Sequence, residues 1–150
     1  LAAERGLGLV LIDGPPGIGC AATAAIAGVD LAVAVTEPTP AAEADLERLW
    51  QRTVQLRVPL ALVINRCDRN PALAERMQAT ASARGCQILG LLPTDPAFRA
   101  AQRAGTSVLS VAGPELCAAI RSVWSRLRAT VDARTTSASD HLVPAERDVP

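Results

Sequence analysis

The sequence predicts an α/β protein, a mostly parallel sheet with helices on both faces, and three observations carry that reading. Short continuous apolar runs recur along the chain, helical patterns with their own start and stop residues separate them, and polar or turn-forming residues follow each run. The alternation is that of a parallel sheet, in which each strand needs a crossover before the next.

The first run, residues 8–12, reads Gly-Leu-Val-Leu-Ile and ends at Asp13, as expected of a strand covered on both faces. Similar runs follow at 31–35, 60–64 and 88–92. Thr39-Pro40 opens a helix carrying Leu46, Leu49, Trp50, Val54 and Leu56 at mixed three- and four-residue spacing, and it ends before Val58-Pro59. Asn70-Pro71 sets an N-cap residue ahead of a proline in the first turn, and Gly85 after Arg84 supplies the left-handed stop. Gly113-Pro114 opens the last helix, with Leu116, Ile120, Val123 and Leu127 in one apolar stripe. From about Thr130 the periodicity stops, so residues 1–129 are read as the folded portion and 130–150 as a disordered polar tail, with His141 a bystander in it.

A chain of 150 residues suits one domain, long enough to remove about 70% of its unfolded surface from water. Fifteen basic side chains, all Arg, balance fifteen acidic ones, which leaves no net field for nucleic acid or anionic lipid and argues against a dedicated DNA binder. Every apolar stretch is interrupted too early to span a bilayer. Leu1 is not an initiator Met and no signal peptide follows it, so a cytoplasmic chain cut from something longer is expected. Cys20, Cys67, Cys86 and Cys117 are too widely spaced for a Cys-x-x-Cys pair and read as buried free thiols.

In open parallel sheets ligands bind beyond the carboxyl ends of the strands. There the sequence places Asp13 with Gly14-Pro15-Pro16-Gly17-Ile18-Gly19, then Thr36-Glu37-Pro38, Asn65-Arg66-Cys67-Asp68 and Pro93-Thr94-Asp95-Pro96. An Asp ending a buried strand is poorly placed for a core but well placed to hold a hydrated Mg²⁺ beside phosphates. The glycines after it let backbone amides approach a phosphate. A plain strand-to-helix turn with Asp13 as a local cap is the competing explanation. A dinucleotide fingerprint is a weaker rival: the glycines read G-x-x-G-x-G, and Pro15 and Pro16 remove two amide donors. Asn65 and Asp68 offer an amide and a carboxylate to a purine edge, although both residue types are also ordinary loop formers.

Together the segments Val10-Leu11-Ile12-Asp13-Gly14-Pro15-Pro16-Gly17-Ile18-Gly19-Cys20, Val33-Ala34-Val35-Thr36-Glu37-Pro38-Thr39, Leu62-Val63-Ile64-Asn65-Arg66-Cys67-Asp68 and Leu91-Leu92-Pro93-Thr94-Asp95-Pro96 resemble the carboxyl-terminal half of MinD/ParA/Mrp-type P-loop ATPases. They most resemble the MinD-like members that carry an inserted ferredoxin-like iron–sulfur segment. The resemblance implies that Asp13 is the Walker B/switch II aspartate on the Mg²⁺ side and Gly17 the glycine that answers the γ-phosphate. It implies that Asn65 bonds the adenine amino group and that Pro93 and Asp95 border the adenine. Asp68 falls at the far end of an N-K-x-D-like motif whose lysine is Arg66 here.

The resemblance further implies ATP and Mg²⁺ as cofactors, a homodimer with Thr36-Glu37-Pro38 near its face, a protein partner, and nucleotide-driven assembly or delivery. An iron–sulfur cluster would belong to residues upstream. The departure is the absence of any lysine, and with it of the deviant Walker A loop that grips the phosphates. The chain by itself is therefore expected not to hydrolyse ATP. Its first strand, without the phosphate-loop strand beside it, is expected to leave backbone and apolar surface exposed. A non-catalytic interaction or dimerisation module on the same fold is the alternative of a different class, and an NAD-type domain a lesser one.

Overall fold

A computed structural model describes residues 6–17 and 19–139. It is an α/β fold with a three-stranded parallel sheet flanked by helices. In chain order the helices and strands are α1 (Cys20–Ile26), β1 (Ala32–Thr36), α2 (Pro40–Leu56), β2 (Leu60–Asn65), α3 (Pro71–Ala83), β3 (Gln87–Leu92), α4 (Pro96–Ala104) and α5 (Pro114–Ser139). The strand order is β1-β2-β3, so each crossover helix carries the chain to the next position in one direction.

The central strand explains the rest. Leu60, Ala61, Leu62, Val63 and Ile64 of β2 are all buried, because β2 has a strand on each side and helices on each face. Leu62 and Ile64 point into a core with Leu73 and Met77 of α3, closed by Leu46, Leu49, Trp50 and Leu56 of α2 and Ile26 of α1. Ala61 and Val63 point to the other face, where Leu89, Val123 and Leu127 join them. There α5 lies so close to β3 that a Cβ added at Gly90 would sit 2.6 Å from Val123 Cγ2. One extra residue, Leu89, interrupts the β2–β3 register between Leu62 and Val63 and is itself fully buried.

The helix boundaries follow the local chemistry. Ala42 N–H donates to Thr39 Oγ1 (3.2 Å) and Leu73 N–H to Asn70 Oδ1 (3.2 Å), each cap followed by its proline. Gly85 takes the left-handed conformation (φ 74°) expected of a stop.

Three sequence expectations need correction. Residues 8–12 form no strand, and Val10, Leu11 and Ile12 are 52%, 68% and 59% exposed. Among the described residues no strand lies beyond β1, and an apolar run without a partner for its N–H and C=O groups has no ladder to join. The expected boundary at Thr130 falls inside α5, which continues to Ser139; the remainder of the expected tail and His141 lie outside the described residues. Of the four thiols only Cys86 is buried, Cys67 and Cys117 are half-buried, and Cys20 is exposed at the start of α1.

Candidate functional site

A cleft of about 380 Å³ opens at the carboxyl ends of β2 and β3. One wall is the segment leaving β2, with Asn65, Arg66 and Arg69; the other is the segment leaving β3, with Pro93, Thr94, Asp95 and Pro96, continued by Phe98 and Arg99 on α4. Two chain segments that are far apart in sequence meet because β2 and β3 are parallel neighbours and end on the same side.

Each wall is fixed by short polar contacts. Asn65, the last residue of β2, accepts the Arg66 N–H on Oδ1 (3.0 Å), and Arg66 adopts a left-handed backbone (φ 52°) that a non-glycine residue occupies only at a cost. The turned chain aims Arg66 back at Glu37, just past the end of β1, with an N–O distance of 3.2 Å. Asp95 accepts the Ala97 N–H (2.7 Å) and so starts α4, whose proline follows it and whose Gly105 ends it at φ 61°. Between the walls, Asp68 Oδ1 accepts the Thr94 N–H at 2.6 Å, and Arg69 Nε donates to Thr94 Oγ1 at 3.3 Å. That backbone hydrogen bond holds the Asp68 carboxyl below its ordinary range.

Asn65, Pro93 and Asp95 therefore meet at one cleft, while Asp68 does not line it and reaches it through Thr94. Asp13 and Gly17 are exposed and lie outside the residues lining the cleft. Gly17 has φ 87°, a conformation that a side chain would strain. The sequence reading missed Arg69, Phe98 and Arg99, although Asp95-Pro96 followed by Gly105 spells a short capped helix that would have carried Phe98 and Arg99 to this rim.

The donor set around Asp13 bears on Mg²⁺. An exposed carboxylate such as Asp13 suits an ion that keeps most of its water and takes other ligands from phosphates. Among the described residues no group of three or more His, Cys, Asp or Glu could hold a metal ion. Nor, among those residues, is any helix long and apolar enough to cross a membrane.

A second, smaller cleft of about 260 Å³ lies at the amino ends of the strands, beside Leu31, Trp50, Leu60 and Gln87. The Arg84 guanidinium sits 5.6 Å from the Trp50 ring centre there and pairs with Glu47. It is on the rim opposite the polar strand ends.

The chain matches no protein-family model. Over 62 residues it is 37% identical to an uncharacterized protein of Methanocaldococcus jannaschii, a match covering 41% of this chain. The chain spans 22% of that relative's length.

Proposed function

We propose that the chain is the ATP-binding portion of a MinD-like, iron–sulfur-associated P-loop ATPase, supplying the base pocket and the Mg²⁺-side aspartate but not the phosphate loop. The observation that supports this best is the cleft at the carboxyl ends of β2 and β3, where Asn65, Pro93 and Asp95 come together. Its chemistry suits a purine: Phe98 and two prolines give an apolar lining, the Asn65 amide can meet a base edge, and planar guanidinium groups can stack on a ring.

In this reading Asp13 orients the water shell of Mg²⁺, and the bound ion would neutralise phosphate charge. Gly17 gives the following loop the freedom to close on a phosphate. The lysine and the amides that grip the phosphates come from residues upstream, so this chain alone binds the base and does not hydrolyse ATP. Closure of a homodimer over ATP, delivery to a protein partner and a cytoplasmic setting belong to the same proposal.

One observation favours a second reading, an interaction module without catalysis. Val33 and Val35 of β1 lie on the α5 side of the sheet beside Ala61 and Val63, yet are 39% and 67% exposed. A partner docked on that face would cover them.

Calorimetric titration of Mg-ATP into this chain and into the same chain extended upstream tests the first reading. The extended chain is expected to bind in a Mg²⁺-dependent manner and to lose hydrolysis in Asp13→Ala. No Mg²⁺-dependent binding, or hydrolysis untouched by that substitution, contradicts it.

A further inference from the structure

We propose that Asp68 is a positioning residue: by accepting the Thr94 amide it braces the two walls of the cleft against each other, and its carboxylate does not read the base. This rests on reading the cleft as a base pocket. Asp68 and Arg69 sit side by side in the short 3-10 turn after β2, and both reach the same residue of the opposite wall, one through the Thr94 amide and the other through its hydroxyl. Thr94 lines the cleft and Asp68 does not. The brace thus joins positions 68 and 94, 26 residues apart, between the segments that leave β2 and β3.

The consequence is a base preference. Guanine presents an N1–H and an N2 amino group along its pairing edge, and a carboxylate facing that edge would accept from both. With the Asp68 carboxylate engaged on Thr94, the turn after β2 offers the base the Asn65 amide instead, which suits adenine. Asparagine at 68 keeps an oxygen acceptor for Thr94, whereas alanine does not.

The test combines amide-resolved hydrogen exchange with NMR titrations of Mg-ATP and Mg-GTP on wild type, Asp68→Asn and Asp68→Ala. In Asp68→Ala the Thr94 amide is expected to exchange at least about tenfold faster and ATP binding to weaken about tenfold, with the ATP-to-GTP ratio unchanged. Asp68→Asn is expected to stay within about threefold of wild type in all three readouts. Unchanged Thr94 protection in Asp68→Ala overturns the proposal, as does a shifted ATP-to-GTP ratio in Asp68→Asn while Thr94 stays protected. If neither nucleotide perturbs Asn65 or Thr94 of the wild type, the base-pocket reading fails, and the bracing role with it becomes that of a loop tie, which the Thr94 exchange rate still measures.

Discussion

Residues 60–64 and residues 8–12 carry nearly the same message, Leu-Ala-Leu-Val-Ile against Gly-Leu-Val-Leu-Ile, and meet opposite fates. The first is the buried centre of the sheet; the second belongs to no strand, with Val10, Leu11 and Ile12 exposed. Hydrophobic pattern sets the capacity to form a buried strand, and neighbours on both sides realise it. Residues 60–64 have β1 and β3, whereas residues 8–12 have no ladder partner among the described residues.

Truncation of one leucine in each run should break that symmetry most clearly. Leu62→Ala removes a side chain with no exposure and should cost about 2–5 kcal/mol in urea unfolding, while Leu11→Ala, at a site 68% exposed, should stay within about 0.5 kcal/mol. Equal losses would mean that residues 8–12 are packed in solution. Gly90→Ala comes next, because its new methyl group meets Val123 at 2.6 Å; a loss of about 1–3 kcal/mol is expected, partly restored by Val123→Ala in the same chain.

Thiol chemistry sharpens the comparison with a smaller effect. Cys20 follows the exposed loop and should be alkylated in the native state, whereas Cys86, buried against the sheet, should react only on unfolding. Burial also raises the Cys86 pKa to about 11 from an ordinary value of 9.0. Between those values the unfolded chain has lost the proton and the folded chain keeps it, so stability should fall as pH rises through that window and hold in Cys86→Ala. The smallest effect is at the other end of the scale. Arg76 donates to both Glu43 oxygens (3.0 and 2.8 Å) and lowers that carboxyl's pKa, so its contribution is present above the ordinary carboxylate range and lost as pH falls through the lowered value. Acid unfolding of Glu43→Gln should lack that slight component.

The sheet was legible because its three strands are self-contained: each apolar run ends at a turn signal, and the Thr39 and Asn70 caps mark the helices between them. The candidate cleft was half legible. Asn65, Pro93 and Asp95 could be named from their places at strand ends, but the bond from Thr94 to Asp68 depends on how two loops cross, which no local pattern encodes. The end of α5 was misplaced because the apolar stripe stops before the helix does. Residues after Thr130 are mostly polar, and Thr130 is held at the sheet through a 2.6 Å hydrogen bond to Gln87.

Hydrogen exchange at the amides of residues 8–12 tests the central claim most directly, measured in this chain and in the upstream-extended chain with Mg-ATP. The account predicts near-unprotected exchange in this chain, with residues 61–64 protected up to the global stability. It also predicts a gain of at least about a hundredfold at residues 8–12 and along β1 once the proposed upstream strand is present. Residues 8–12 as protected as residues 61–64 in this chain alone, or still unprotected in a longer chain that binds ATP, would contradict it.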